Sequence, residues 1–168
     1  YYYNNNYFFV PCTALACMEI FKRENVFLRG KKVTIIGKSN IVGIPLLLLL
    51  LKNDATVTIC HIETLDLISH LECADIIISA CGQPHMIKKE WLKEGVIAID
   101  VGINICEHDR NDDSNSKGYY IVGDIDFDNV KKIASKITPV PNGVGLITIA
   151  MLVKNTLKGF NMQNSLIY

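Results

Sequence analysis

In the stretch Lys32-Val33-Thr34-Ile35-Ile36-Gly37-Lys38-Ser39-Asn40-Ile41-Val42-Gly43-Ile44-Pro45, a β-branched run passes through a glycine turn into the most apolar segment of the chain. A short strand, a tight turn and a helix N-terminus together make a cradle for an anion. The turn brings backbone close to the ligand, and unpaired N–H groups and the helix dipole stabilise its charge. This predicts a nucleotide or dinucleotide at the first βα turn of a parallel sheet. Ser39 stands where the usual fingerprint has its second glycine, so the pattern alone does not identify the ligand.

The same alternation continues outward from this unit. Upstream, Thr13 is expected to cap a helix from Ala14 to about Glu24. The first strand is Val33 to Ile36, followed by a helix from Ile41 to about Leu51. Ala55 to Cys60, Asp75 to Ser79 and Val96 to Val101 read as strands. Between them lie a short helix at Leu65 to Leu71 and a helical or irregular piece at Ile87 to Leu92. Asn104 to Gly118 is polar and reads as an exposed loop. Tyr119 to Val122 is a further strand, Asp126 to Ser135 a helix, and Val144 to about Lys158 the closing helix. The strands are continuous β-branched runs, which belong in a sheet covered on both faces. The fold expected is α/β, a doubly wound parallel sheet of Rossmann-like form.

Composition excludes several classes of function. Lys plus Arg and Asp plus Glu both number 17, and no basic run is visible. No long-range field therefore recruits nucleic acid or an anionic membrane. Leu46 to Leu51 is far shorter than the roughly 20 residues of a membrane span. Six cysteines without a CxxC pair fit a reducing compartment better than a disulfide framework. The four histidines show no metal-ligand spacing, so no metal site is expected. The chain opens on Tyr-Tyr-Tyr-Asn-Asn-Asn-Tyr, neither a signal nor a transit peptide, and is read as a piece of a longer protein.

Ligands of an open parallel sheet sit at the carboxyl ends of its strands. Those ends carry Gly37-Lys38-Ser39, His61-Ile62-Glu63-Thr64, Ser79-Ala80-Cys81-Gly82-Gln83 and Asp100-Val101-Gly102-Ile103-Asn104. A single glycine here would be only a turn residue; small residues at three ends of four favour one shared ligand surface. After the second strand the signals conflict. Lys38 across the turn suits a ribose 2′-phosphate, whereas Glu63 would repel one or point into solvent.

Read in order, Pro11-Cys12-Thr13, Gly37 to Pro45, Ala55 to His61, Ala74-Asp75-Ile76 and Gly82-Gln83-Pro84 form a recognisable series. Ile99 to Asn104, Val122 to Phe127 and Ile137 to Gly145 complete it. The whole, from Phe9 to Leu157, resembles the bifunctional methylenetetrahydrofolate dehydrogenase/methenyltetrahydrofolate cyclohydrolase family. The resemblance implies hydride transfer from methylene-tetrahydrofolate to NADP, then attack of water on the methenyl product. It implies that Gly37, Lys38 and Ser39 hold the phosphates and ribose, and that Ile41, Val42 and His61 line the adenosine side. Ala80, Gly82, Gly102 and Ile103 would flank the nicotinamide half, with Thr13 and Thr148 at its end. Pro141, Asn142 and Gly143 would form a piece of folate-site wall.

Departures from the family pattern fall at three places. Lys38 stands where the family commonly has arginine, and Ile62 where it commonly has serine, which leaves NAD possible as cofactor. Asn142 and Leu146 replace glycine and proline, and Ala14 and Ala16 replace proline and glycine. The family's catalytic lysine, tyrosine, glutamine and aspartate belong to an N-terminal folate lobe, so no catalytic residue is expected in this chain. The organisation implied is a tail at 1–9, a linker helix at 10–30, an NAD(P)-binding Rossmann-like domain at 31–160 and a tail at 161–168. A cytoplasmic homodimer is expected by resemblance. The alternatives are an NAD-specific dehydrogenase and a non-catalytic nucleotide-binding module.

Overall fold

The computed structural model describes residues 9–107 and 119–165. Five parallel strands form the central sheet, in the order β2-β1-β3-β4-β7. Their ranges are β1 Lys32–Ile36, β2 Thr56–Cys60, β3 Ile76–Ser79, β4 Ile97–Asp100 and β7 Lys136–Ile137. Register is in step across the centre, with Val33 opposite both Val57 and Ile76, and Ile76 opposite Ile97.

Alternation along the strands divides the core into two layers. Val33, Ile35, Ile76, Ile78 and Ile99 face one side, where α1 (Cys12–Arg23), α2 (Gly43–Lys52) and α5 (Val144–Ser165) cover them. Ile36, Ile77 and Ala98 face the other, against α3 (Leu67–Glu72), the 3₁₀ turn Lys89–Trp91 and α4 (Phe127–Val130). Burial on both faces is why these strands are unbroken apolar runs. The expected doubly wound architecture is what the chain adopts.

Several local expectations need correcting. Asn104–Glu107 is not loop but β5, paired antiparallel with β6 (Tyr119–Val122) in a ribbon apart from the main sheet. Its alternation is short and mostly exposed, so it carries little strand signal. The rest of the expected loop, 108–118, lies outside the described residues, as does the opening 1–8. The helix expected from Asp126 to Ser135 is only Phe127–Val130, because the chain turns after it to feed β7, which sequence reading missed. Thr13 does not cap α1: the N-cap is Pro11 and makes no side-chain cap bond. Helix α2 begins at Gly43, two residues later than expected.

The segment expected as a linker helix forms α1, and α5 runs on into the segment expected as a tail. In α1, Ala14, Ala16, Cys17 and Phe21 are buried in the main core, packed with Val144 and Met151 of α5. Helix α5 continues past 160 to Ser165. Its Leu146, Ile149, Val153, Leu157 and Phe160 recur at helical spacing, and each is more than half exposed. Among the described residues, no helix is long and apolar enough to cross a membrane. All six cysteines are free thiols.

Candidate functional site

The strand order reverses direction between β1 and β3, which makes their carboxyl ends the crevice of the sheet. Gly37 leaves β1 with φ +115°, and its N–H donates to the Cys60 carbonyl at 2.8 Å. A Cβ on Gly37 would overlap the Ala80 carbonyl oxygen, and one on Gly43 would overlap the Gly37 carbonyl oxygen. Glycine at both positions lets strand, turn and helix N-terminus meet backbone to backbone. Within the turn, the Ser39 hydroxyl accepts from the Val42 N–H at 3.2 Å and the Ser39 carbonyl from the Ile44 N–H at 3.1 Å. Lys38, Ser39 and Ile41 are exposed and Val42 is half-buried beneath them.

At the end of β2 a second turn closes on itself. The Thr64 hydroxyl accepts from the His61 N–H at 2.9 Å, and His61 Nδ1 accepts from the Glu63 N–H at 3.2 Å. The imidazole is thereby held at the end of β2, next to Cys60, whose carbonyl accepts from the Gly37 N–H. Ile62 is 94% exposed.

The ends of β3 and β4 are organised by two buried carboxylates. Asp124 Oδ2 accepts from the Ser79 hydroxyl at 3.1 Å and from the N–H groups of Cys81 and Gly82 at 2.8 and 3.2 Å. Its Oδ1 accepts from the Gln83 N–H at 3.0 Å and the Asn104 side-chain amide at 2.9 Å. Asp100 accepts from the N–H groups of Gly102, Asp124 and Ile125 at 2.9, 3.1 and 2.8 Å. Each aspartate therefore anchors the segment that carries the other or its neighbours. A Cβ on Gly102 would overlap the Asp124 carboxylate, and one on Gly123 the Asp100 carboxylate.

The two carboxylates titrate in opposite directions. Burial pushes Asp100 up to about 6 from 3.8, against the pull of its three N–H donors. Burial also acts upward on Asp124, but Asn104 and the loop N–H groups outweigh it and hold that carboxyl below the usual range. A raised folded value means that the Asp100 contribution to stability is full below the unfolded value and is lost as pH rises through about 6. The unfolding free energy of the parent relative to Asp100→Asn is expected to fall by about 2 kcal/mol between about pH 4 and pH 7. Urea unfolding at the two pH values measures it, and a constant difference would mean that Asp100 titrates as an ordinary carboxylate.

A pocket of about 190 Å³ opens beside the end of β4. Gly102 and Ile103 line it together with Pro141, Asn142 and Gly143, so two groups of residues far apart in sequence share one surface. The Val140–Pro141 bond is cis and Asn142 has φ +75°. Ile121, which the sequence did not single out, and Leu146, noted there only as a departure from the family pattern, also line the pocket. Thr13 and Thr148 do not line it. Thr148 lies one turn from each of the buried Val144 and Met151, on the α5 face that packs against α1, and its hydroxyl donates to the Val144 carbonyl at 3.0 Å. Thr13 lies in the first turn of α1, half-buried. Among the described residues no group of three His, Cys, Asp or Glu could hold a metal ion.

This geometry has close relatives. Residues 11–164 match the family described as tetrahydrofolate dehydrogenase/cyclohydrolase, NAD(P)-binding domain. The chain belongs to that family. It is 50% identical over 151 residues to the bifunctional protein FolD 2 of Arabidopsis thaliana, covering 90% of this chain and 49% of that protein. The bifunctional methylenetetrahydrofolate dehydrogenase/cyclohydrolase FolD of Campylobacter jejuni superposes with a TM-score of 0.82 at 46% identity, over 92% of this chain and 51% of that one. The Trypanosoma brucei enzyme, solved with NADP cofactor and an inhibitor, gives 0.87 at 43% identity, over 95% and 53%. The chain thus spans about half the length of the relatives it matches.

As an NAD(P)-binding domain of this family, the chain owes its ligand edge to residues with a weak sequence signal. Asp100 and Asp124 read from the sequence as aspartates that cap or staple loops rather than catalyse, and both accept loop N–H groups. The parts played by Ser79 and Asn104 in the Asp124 site were not legible, because their donors converge from positions 25 residues apart on separate sheets.

Proposed function

We propose that this chain is the cofactor-binding half of an NADP-dependent methylenetetrahydrofolate dehydrogenase that also has methenyltetrahydrofolate cyclohydrolase activity. The observation that carries the proposal is the meeting of four strand ends at the β1/β3 crevice, next to the Pro141–Gly143 pocket. The residues present fit a dinucleotide. A Cβ on Gly82, at φ +68°, would meet no protein atom within 4 Å, so open space lies over the loop. The exposed Lys38 and Ser39 sit on a glycine turn leading into the ten-residue helix α2, which favours phosphate.

In this reading Gly37, Lys38 and Ser39 hold the phosphates and ribose, and Ile41, Val42 and His61 line the adenosine. Ala80, Gly82, Gly102 and Ile103 flank the nicotinamide half, Thr13 and Thr148 lie toward its end, and Pro141, Asn142 and Gly143 contribute folate-site wall. When bound, the cofactor supplies the hydride acceptor. The chain's own residues bind and orient it, which is where proximity contributes to rate. Asp100 and Asp124 are committed to N–H donors, so acid/base work falls to the half of the relatives' length that this chain does not span. The exposed apolar stripe on α5 supports a further lobe seated there. A cytoplasmic location and a homodimer complete the proposal; free thiols support a reducing compartment.

Calorimetric titration with NADPH and NADH tests the cofactor assignment. NADPH is expected to bind at least tenfold more tightly, about 1.4 kcal/mol of phosphate recognition. Lys38→Ala should remove that advantage, weakening NADPH more than NADH. Equal affinities in the parent chain would overturn the NADP assignment. The chain alone should show no dehydrogenase turnover with methylene-tetrahydrofolate.

A further inference from the structure

We propose that Asp124 is the positioning residue for the nicotinamide-facing edge of the site, an inference that rests on the cofactor reading above. Asp124 follows β6, which lies outside the five-stranded sheet, yet its carboxylate reaches the end of β3. Three consecutive backbone N–H groups, of Cys81, Gly82 and Gln83, converge on it. Because a trans peptide directs its carbonyl opposite its N–H, the carbonyls of Ala80, Cys81 and Gly82 point away from the carboxylate. One side chain therefore sets the direction of every peptide group in the 80–83 loop.

The second nicotinamide-facing loop is tied to the same group. Gly102 packs so closely on the Asp124 carboxylate that a Cβ would overlap it, and the Asn104 amide donates to Oδ1. Asp100 holds the Asp124 backbone N–H in turn, fixing where the carboxylate originates. The loops at 80–83 and 102–104 thus share Asp124 as a common acceptor. The turns at Gly37–Val42 and His61–Thr64 are closed by bonds of their own, to Ser39 and Thr64, and donate nothing to Asp124. Five donors at hydrogen-bond distance make a carboxylate, with its four acceptor sites, the side chain that satisfies this place.

Asp124→Asn tests the role, since it keeps the shape but presents an NH₂ to converging N–H donors. NADPH affinity should fall at least tenfold. Adenosine 2′,5′-bisphosphate, which carries only the adenosine half, should bind within twofold of the parent. Ser79→Ala and Asn104→Ala each remove one donor while leaving the carboxylate, and should show the same selectivity at smaller size if Asp124→Asn does not fold. Equal weakening of both probes, or unchanged NADPH binding by the folded variants, would overturn the positioning role. If the parent bound neither probe, the cofactor reading would fall and the positioning role with it. Binding of both probes by the parent, with no selective loss in the variants, would remove the positioning role alone.

Discussion

Gly37→Ala is expected to lose cofactor binding and to destabilise the chain by about 4 kcal/mol. Two costs combine. A non-glycine residue at φ +115° bears backbone strain of about 1–3 kcal/mol. The added Cβ would overlap the Ala80 carbonyl oxygen, and overpacking of this kind costs about 1–3 kcal/mol. The obstacle is backbone in the neighbouring strand's exit, so relief requires separating β1 from β3 where the ligand crevice lies. Against a typical stability of about 5–15 kcal/mol this is a large fraction. Gly30→Ala is the control: φ is +73° and nothing lies within 4 Å, so only a backbone cost of about 1–2 kcal/mol is expected. Urea unfolding of both variants, with NADPH titration, makes the comparison. Equal costs for the two would mean that the Gly37–Ala80 approach is not tight in solution.

Phe21→Ala should cost about 3–5 kcal/mol, although it falls in a segment that reads as a linker. Phe21 is 1% exposed and sits in the main core with Leu28, Ile99 and α5 residues. A linker helix would tolerate the change within about 0.5 kcal/mol, as surface positions do. Thermal and urea unfolding of this variant therefore decide whether α1 is structural core or connector. A small effect would show that α1 detaches from the sheet without loss of the fold.

Much of the sheet was legible because its signals are local. Val33 to Ile36 and Ile76 to Ile78 are β-branched runs bounded by glycine or polar turns, and each became a central strand with nearly the expected ends. What failed was equally physical. Asn104–Glu107 has one buried residue in four, so no periodicity marks it, and its pairing partner begins at Tyr119 beyond a long polar stretch. The two-residue β7 is defined only by its bonds to β4. Thr13 has the chemistry of a cap but enters the helix as its second residue, after Pro11.

The candidate site divides in the same way. Glycine turns at strand ends are visible residue by residue, because positive φ and close backbone approach restrict the amino acid at one position. The joining of Gly102 and Ile103 to Pro141, Asn142 and Gly143 in one pocket depends on β4 and β7 lying side by side. No property of either segment alone contains that.

The amino-acid sequence by itself determined the alternating layers, the glycine turns at the strand ends and the family pattern, since hydrophobic period, turn glycines and motif order are short-range properties of the chain. Only the tertiary structure decided that α1 belongs to the core and that Asp124 holds two loops from outside the sheet. Burial and convergent hydrogen bonding depend on which distant segments meet, and that is a property of the packed fold.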